Sequence, residues 1–423
     1  MGNKQNSGCG CLRIPFSVVV LMLGGSYWWL IYLGNFTKIT KLLPPIQLPP
    51  PIANLFPSKS TNSQPTPLPI PPQNSQPIVD TQPVAIAPTP SKIDPKPQAS
   101  PPITASPSPT NLQNSWEKKA IRGIYLSRYQ VTNNADEQTI RQRIRYYRSQ
   151  GINTIIHGVW GNGCTMYNSE VMEQMLGAKS CPNQFQDRWL EWTIDEAHKQ
   201  GMQVHAYFEK GIKIDKDSPI FDRAIAKKWI VPGVDRTYAK VEHYVLDVEV
   251  PEVAAIFKKM LAEFVTKYPK IDAVQWDDYL GYHAELPGKV DRTTSLTTFV
   301  QQLIADMKAA NPAVSFDICH HNPYWAKRYF AADWEKWKVD RVFIQDYNEK
   351  NFKDELNYAA NYAGVAITDG QLHRLKELTA NPKIKSILIF PLAGKPEETA
   401  ARIQKIDRAN SLSATPIHKV VNK

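Results

Sequence analysis

The stretch IDAVQWDDYLGYH, residues 271–283, begins as an apolar strand and ends in two adjacent acids and a polar loop with glycine. Seven further strand-like runs occur in the chain, separated by amphipathic stretches that end at Gly or Pro. They lie at residues 121–127, 153–160, 202–209, 314–320, 341–347, 364–369 and 385–391. Eight strands with helical crossovers predict a (β/α)8 TIM barrel. An open doubly wound sheet is the second possibility, but no Gly-x-Gly-x-x-Gly follows the first strand.

Acidic residues stand where several of these strands end. The third strand ends at Glu209, the fourth at Asp277 and Asp278, and the seventh at Asp369. Because the carboxyl ends of barrel strands form one rim, which carries the active site in this fold, these acids are expected to converge there. They are the candidate catalytic residues.

Alternation along the fourth strand ranks two of the acids. Val274 and Trp276 suit the layer that faces the helices, which turns Gln275, Asp277 and Tyr279 inward. Asp277 therefore ranks above Asp278.

Alternation also orients the side chains of the third and sixth strands. On the third strand His205, Tyr207 and Glu209 share one face, and their polar character indicates the interior. On the sixth strand Val342 and Ile344 suit the outward face, which places Asp346 outward as well and turns Gln345 inward. Asp346 is therefore a weaker candidate than the four acids above.

Side chains at or near the strand ends could bind a sugar by stacking or hydrogen bonding. Core packing explains any single aromatic among them equally well, and a structural role for His205 is at least as strong an alternative. The candidate substrate contacts are His205, Tyr207, Trp160, Gln275, Tyr279, His321, Asn322, Tyr324, Gln345 and Tyr347.

From residue 121 to the last strand the chain resembles the glycosyl-hydrolase-like family 10 of barrel glycosidases, and most closely its membrane-anchored cyanobacterial members. The motifs that carry the resemblance are RGIYL, GNGCTMYNSEVM, DEAHKQGMQVHAYFEKG, VQWDDYLGYH, HNPYWAKRYFAADWEKW and FIQDYNEKNFKDEL, in that order. The resemblance implies a glycan substrate, and bacterial members are linked to peptidoglycan.

The chain departs from the family pattern at two places. Gln345, Asp346, Tyr347 and Asn348 stand where the family usually has a motif closer to Gln-Val-Tyr-Arg, and His320 and His321 replace a Ser-Pro. A match to family 18 chitinases fails at the fourth strand, because Tyr279 occupies the position of their catalytic glutamate.

Hydrolysis of a glycosidic bond generally needs one carboxylic acid and one carboxylate. We expect Asp277 and Glu209 to be this pair, with Asp369 as an alternative partner. Two rival interpretations stay open: an inactive barrel that only binds glycans, and a metal-dependent polysaccharide deacetylase that would use His205, Glu209, His320, His321 and the aspartates. The histidines lack the close spacing of known zinc motifs, so neither a metal nor another cofactor is expected.

The amino-terminal part of the chain has a different composition. Residues 14–36 carry no charge and are long enough to span a bilayer, so they predict a transmembrane helix or uncleaved signal anchor after a short tail, residues 1–13. Of the 34 prolines, 21 lie between Pro44 and Pro109, which predicts a disordered linker over residues 37–115. The barrel is then expected over residues 116–411, with a tail at 412–423.

These features predict a single-pass membrane protein whose barrel lies on the periplasmic or extracellular side. Its formal net charge of +10 is spread along the chain, so nucleic-acid binding is not expected. The protein is expected to be a monomer. Cys164 and Cys181 both follow the second strand; they would form a disulfide in an oxidising compartment and stay free in the cytosol.

Overall fold

The computed structural model describes residues 116–131, 134–236, 242–283, 286, 291–392 and 394–413. The predicted amino-terminal tail, transmembrane helix and linker, together with residues 414–423 of the predicted carboxyl-terminal tail, lie outside these ranges. Within the described ranges no helix combines the length and the apolar character needed to cross a membrane.

Eight parallel strands form a closed barrel, as the sequence predicts. Each strand pairs with the next along the chain, and the eighth pairs with the first. We number them β1 (Arg122–Leu126), β2 (Thr154–Gly161), β3 (Gln203–Phe208), β4 (Ala273–Asp277), β5 (Ser315–His320), β6 (Arg341–Gln345), β7 (Gly364–Thr368) and β8 (Ile387–Phe390). The fold is a (β/α)8 barrel.

Helices connect these strands. They are α1 (Glu137–Ser149), α2 (Glu170–Leu176), α3 (Trp189–Lys199), α4 (Phe221–Ala226), α5 (Pro251–Lys267), α6 (Arg292–Ala310), α7 (Pro323–Phe330), α8 (Phe352–Ala359), α9 (Leu375–Ala380) and α10 (Pro396–Ser413). Short 3-10 helices occupy Arg128–Val131, Trp334–Lys336 and Asp369–Arg374.

Helix α1 shows how local sequence sets these elements. The Asp136 carboxylate accepts a hydrogen bond from the backbone N–H of Thr139 (2.7 Å) and caps the first turn. Ile140, Ile144 and Tyr147 recur at helical spacing and are buried, so one face of α1 packs on the barrel. Gly151 follows in the left-handed conformation (φ 82°) that ends a helix with little strain.

The strands pack on both faces, which explains their nearly continuous apolar sequence. Outside the barrel, Trp276 of β4 stacks on Phe208 of β3 with ring centroids 4.4 Å apart and also contacts Phe257 of α5. Inside, a separate cluster fills the barrel: Ile121, Tyr125, Ile156, Tyr207, Cys319, Phe343, Ala366 and Leu388. Truncating a buried Trp typically costs about 3–5 kcal/mol.

Two short hairpins are added at the carboxyl ends of the strands. Cys164–Thr165 pairs antiparallel with the end of β2, and Cys164 is joined to Cys181 by a disulfide. Lys213–Ile214 pairs antiparallel with Tyr244–Val245 in the segment between β3 and β4. Both hairpins therefore belong to the rim on which the acids lie.

Candidate active site

Asp277 ends β4 with its carboxyl group inside the mouth of the barrel. Its Oδ2 atom accepts a hydrogen bond from the Tyr207 hydroxyl of β3, and Oδ1 accepts one from the backbone N–H of Tyr279 (3.0 Å). Only 7% of the residue is exposed. The inward orientation that alternation predicted for Asp277 is therefore observed.

The surroundings of Asp277 favour its protonated form. Burial raises the pKa of this carboxyl well above its usual value, and the charge of the adjacent Asp278 raises the pKa further. The hydrogen bonds from Tyr207 and Tyr279 and the charge of Lys213 oppose this rise without cancelling it. A carboxylic acid held in this state can donate a proton.

Aromatic rings line the barrel mouth around Asp277. Tyr125 of β1 lies edge-on to Tyr207, with centroids 5.1 Å apart, and 5.4 Å from Phe390 of β8. The ring of Tyr347, just after β6, lies 5.9 Å from Phe390. Tyr207 and Tyr347 were expected from the sequence, whereas Tyr125 and Phe390 were missed. Inward alternation on β1 and β8 is the signal that could have found them.

Glu209, which follows β3, has its carboxylate held by Arg128. Oε1 accepts a hydrogen bond from the backbone N–H of Arg128 (2.9 Å), and Oε2 forms an ion pair with the Arg128 guanidinium (2.6 Å). Both side chains are largely buried. The negative charge of Glu209 is therefore balanced by a neighbouring cation at the rim.

Two glycines of β2 make room for this ion pair. A Cβ atom at Gly158 would lie 2.5 Å from Glu209 Oε1, and one at Gly161 would lie 2.2 Å from Arg128 Nη1. Any side chain at either position would displace the pair. Glycine inside a strand often marks such a close approach, and this was the available signal for Arg128.

Asp278 points away from the barrel interior into a second buried polar cluster. Its Oδ2 atom lies 3.9 Å from His321 Nε2. Lys213 is also buried here and forms an ion pair with Asp235 (2.8 Å). The lower rank that alternation gave Asp278 agrees with this outward position.

Tyr279 lies on the hairpin side of the rim. The Lys213 ammonium lies 4.9 Å from the centre of its ring, and the His243 ring is 5.2 Å away. The Tyr279 hydroxyl is 3.4 Å from His243 Nε2. Tyr279 therefore packs against the segment between β3 and β4, in contrast to the inward position that alternation predicts.

Trp160 differs from its expected role as a sugar-stacking residue. The ring is 1% exposed, lies against Phe257 of α5 (5.5 Å), and donates a hydrogen bond to the Gly211 carbonyl (2.8 Å). The register of β2 shifts between Gly158 and Trp160, so the simple alternation is lost at that point. Trp160 has the core-packing role that the sequence also allowed.

His205 lies at the amino end of the barrel, away from the rim. Its Nδ1 atom is 3.7 Å from Asp317 Oδ2, and its Nε2 atom is 3.4 Å from Arg341 Nη2. Asp317 and Arg341 form an ion pair (2.7 Å). This position favours the structural role of His205 over substrate contact.

Two glutamines expected to bind substrate are buried at the barrel strands. Neither amide atom of Gln275 has a hydrogen-bond partner among the described residues, and the same holds for Gln345 Oε1. The amide group of Gln275 and the carbonyl oxygen of Gln345 therefore have hydrogen-bonding capacity that is unused within the described part of the protein.

Residues after β5 occupy the rim in different ways. Asn322 caps α7 by accepting from the Trp325 N–H (3.1 Å) and donates to Glu355 (2.9 Å), so it is structural. Tyr324 is 56% exposed, and its hydroxyl accepts a hydrogen bond from Arg328. Of these residues, Tyr324 offers a ring to solvent.

Asp346 follows β6, and Asp369 begins the 3-10 helix after β7. The Oδ1 atom of Asp369 accepts a hydrogen bond from the Leu392 N–H (3.2 Å). Asp346 is buried near Glu355, and burial raises its pKa to about 9. The structure brings Tyr207 and Asp277 together inside the mouth, whereas Asp369 is engaged with the loop after β8.

The residues considered as metal ligands do not assemble. Across the described ranges, no three or more His, Cys, Asp or Glu side chains form a group that could hold a metal ion. His205 is at the amino end of the barrel, whereas His321 is near Asp278 at the carboxyl end.

Several solved glycosidases show a distant structural likeness. An α-amylase from Lactobacillus plantarum has a TM-score of 0.45 at 10% identity, covering 71% of this chain and 81% of that one. A chitobiase from Flavobacterium johnsoniae has a TM-score of 0.45 at 9% identity, covering 70% and 51% of the two chains. At these TM-scores the likenesses carry no weight for fold or function.

Sequence comparison is more specific. Over 226 residues the chain is 27% identical to Glycosyl hydrolase DigH of Escherichia coli strain K12, which covers 46% of this chain and 48% of the relative. The chain thus spans about half the length of the curated relatives it matches. Residues 120–296 match the family model described as Glycosyl hydrolase-like 10. This matched segment includes Asp277 and is similar to the glycosyl hydrolase-like 10 family.

Proposed function

We propose that the barrel is a glycoside hydrolase in which Asp277 is the general acid. The observation that carries this proposal is a buried carboxyl group whose pKa is raised, placed at the mouth of the barrel among aromatic rings. Asp277 gives its proton to the glycosidic oxygen as the bond from that oxygen to the anomeric carbon breaks. The hydroxyl of a water molecule then bonds to the anomeric carbon, and the remaining proton of that water passes to a carboxylate.

Glu209 is the proposed second carboxylate. It ends the neighbouring strand, and its charge is balanced by Arg128. An anionic group beside the anomeric carbon stabilises the positive charge that develops there in the transition state. Asp278 and Asp369 are not proposed as the second carboxylate. Asp278 points into the buried cluster that contains His321, and Asp369 is engaged with the loop after β8.

The aromatic rings at the mouth suit a sugar. Tyr347 and Phe390 are partly buried and pack against the interior cluster that contains Tyr125, and the apolar faces of sugar rings stack on such side chains. Gln275 and Gln345 supply unused hydrogen-bonding groups at the same strands.

The proposed substrate is a cell-wall glycan, with peptidoglycan strands first among them. The motif resemblance supports this class, and the curated relative is named a glycosyl hydrolase. A membrane helix at residues 14–36 and a proline-rich linker would hold the barrel outside the cytoplasm, facing the wall. The disulfide between Cys164 and Cys181 fits an oxidising compartment.

One observation favours a barrel that binds glycans without cleaving them. Both oxygens of Glu209 are engaged by Arg128, so a tightly held ion pair would leave Asp277 without a reactive partner. Binding and cleavage must therefore be measured on the same proteins.

The test uses the full-length chain, purified in detergent, with isolated glycan strands that retain or lack stem peptides. Soluble fragments are measured for the wild type, Asp277→Asn and Glu209→Gln, and sedimentation with the glycan measures binding. Asp369→Asn is the matched control, because Asp369 is another buried acid of the rim outside the barrel mouth.

A glycosidase releases fragments as the wild type and as Asp369→Asn, and loses release in the other two variants while still sedimenting with the glycan. Sedimentation without fragments in all four proteins would overturn the enzymatic proposal and support the binding module. Absence of both would overturn the proposed substrate class.

A further inference from the structure

Tyr324, in the first turn of α7, has the most exposed large apolar side chain in the described part of the protein, at 56%. Its hydroxyl accepts a hydrogen bond from Arg328, one helical turn further on. The Arg328 guanidinium lies 5.7 Å from the centre of the Tyr324 ring and 5.4 Å from the centre of the Tyr329 ring. A cation is therefore held against two aromatic rings on one side of α7.

The aromatic surface extends to a second pair of residues. The rings of Trp325 and Tyr329 are 6.1 Å apart, and both residues are partly buried. Because residues four positions apart are neighbours on a helix surface, this pair forms a row beside the pair of Tyr324 and Arg328. We call these four residues the α7 strip.

Arg328 is exposed, and its charge is available to a ligand. Within the described ranges the groups that act on its guanidinium are Tyr324 and Tyr329, and no carboxylate forms an ion pair with it. The neighbouring Lys327, in contrast, is paired with Asp333 (3.0 Å). A guanidinium that lies on aromatic rings and has no acidic partner in this part of the chain is suited to bind an anion.

Strand β5 places the α7 strip at the carboxyl end of the barrel. β5 ends at His320, and α7 begins three residues later at Pro323. The Asn322 side chain caps the first turn and is held by Glu355 (2.9 Å), so the start of the helix is fixed on the rim. β5 pairs with β4, whose last residue is Asp277. The strip therefore lies on the same rim as the proposed acid, one strand further along.

The size of the α7 strip favours a sugar over a protein as its occupant. A stable protein–protein interface uses roughly 20–30 residues on each side, far more than the four residues of the strip. A sugar ring, in contrast, stacks on a single aromatic side chain. A glycan polymer with one sugar in the barrel mouth also has to leave across the rim, where the strip lies.

We propose that the α7 strip binds a carboxylate-bearing sugar of the glycan, beyond the sugar on which Asp277 acts. The sugar ring stacks on Tyr324, and its carboxylate accepts a charge-assisted hydrogen bond from Arg328. This inference rests on the proposed glycan substrate, and it adds a contact that selects acidic over neutral glycans. A lactyl group of peptidoglycan and a uronic acid both supply such a carboxylate.

The experiment measures binding, so it does not depend on cleavage. The full-length chain in detergent is titrated with three soluble probes, and every protein carries Asp277→Asn so that no probe is consumed. The probes are peptidoglycan oligosaccharides without stem peptides, oligogalacturonate, and chitin oligosaccharides. Chitin shares the N-acetylated backbone of the first probe and lacks its carboxylate.

Arg328→Gln is expected to weaken binding of the acidic probe by about 3–10-fold and to leave the affinity for chitin unchanged, because an exposed charge pair contributes modestly. Tyr324→Ala should weaken binding of both, because it removes the stacking ring. High salt should reduce the preference for the acidic probe by screening the charge. Both replaced side chains are exposed, so the melting temperature should not change.

Two variants serve as matched controls. Arg148 is an exposed arginine in the last turn of α1, and Tyr358 is a 39% exposed tyrosine near the end of α8. Both helices end at the amino end of the barrel, away from the rim. Arg148→Gln and Tyr358→Ala should therefore leave all three affinities unchanged.

Arg328→Gln that weakens chitin binding equally, or leaves acidic probes unaffected, would overturn the inference, as would absence of binding by every probe. Tighter binding of the peptidoglycan probe than of oligogalacturonate assigns the carboxylate to a lactyl group, and the reverse assigns it to a uronic acid; either supports the site. The expected binding pattern without fragment release by the wild type would overturn the proposed function and leave the α7 site established. Fragment release by the wild type, with affinities unchanged in Tyr324→Ala and Arg328→Gln, would do the opposite.

Discussion

Asp317 at the amino end of the barrel and Asp277 at the carboxyl end are both buried, but their surroundings are opposite. At the amino end, Asp317 forms an ion pair with Arg341, accepts a hydrogen bond from Ser315 (2.6 Å), and lies beside His205. At the carboxyl end, Asp277 has two neutral donors and an acidic neighbour, and the ring of His321 has no hydrogen bond among the described residues.

This contrast suggests a structural role for the paired Asp317 and a chemical role for Asp277. A buried charge is tolerated when it is paired and hydrogen-bonded, whereas a buried acid without a cationic partner is held in its neutral form. The fold pairs buried Asp317 with Arg341 at the amino end, so the arrangement around Asp277 is not a general failure of packing. Perturbed groups of this kind cluster at functional sites.

The largest expected effect is that of Asp277→Asn. Loss of a general acid typically slows catalysis by about 10²–10⁴-fold, so fragment release should fall by this factor. The melting temperature should stay the same or rise, because the substitution removes a buried carboxyl next to Asp278. Assays of fragment release and calorimetry on the same preparation check both parts. A large loss of stability would place Asp277 with the structural groups of the amino end.

Reduction of the disulfide tests what orders the carboxyl-end rim. Cys164 and Cys181 are separated by 17 positions, and closing a loop of this length stabilises a protein by about 3 kcal/mol. Denaturant unfolding with and without a reductant measures this difference. The double variant Cys164→Ser with Cys181→Ser should lose the same free energy of unfolding. It should then no longer respond to the reductant, because it has no disulfide between these positions.

Asp317→Asn removes the buried carboxylate at the amino end of the barrel, as Asp277→Asn does at the carboxyl end. Arg341 would lose its ionic partner, and a hydrogen bond to a charged group is worth about 1.5–3 kcal/mol. The free energy of unfolding should fall by about 2 kcal/mol, measured by denaturant titration. Fragment release per folded molecule should equal that of the wild type. A loss of activity in the folded protein would remove the distinction between the two ends.

Tyr207→Phe should have the smallest effect and a defined sign. The hydrogen bond from Tyr207 lowers the pKa of Asp277, so its removal raises that pKa. The basic limb of kcat/KM should therefore move to higher pH by up to about one pH unit. A limb that moves to lower pH in Tyr207→Phe would contradict the proposed role of this bond.

Much of this architecture could be predicted from the sequence. The eight strands have apolar runs bounded by Gly, Pro or acids, and alternation correctly turned Asp277 and Tyr207 inward and Asp346 outward. These predictions succeed because orientation within a strand is a local property with a period of two residues.

The remaining features depend on distant contacts or on local irregularity. Arg128 and Glu209 are 81 residues apart, and nothing in either segment specifies the ion pair except the glycines that make space for it. Trp160 faces the helices because the register of β2 shifts after Gly158, which a strict alternation does not anticipate.

The most direct test of the central claim is the initial rate of fragment release by the full-length chain as a function of pH, for the wild type and Asp277→Asn. We expect a wild-type basic limb well above the ordinary carboxyl value of about 4, and release by Asp277→Asn that is about 10²–10⁴-fold slower than the wild-type maximum. A basic limb near pH 4, or equal release by the two proteins, would contradict the assignment of Asp277 as a buried, protonated general acid.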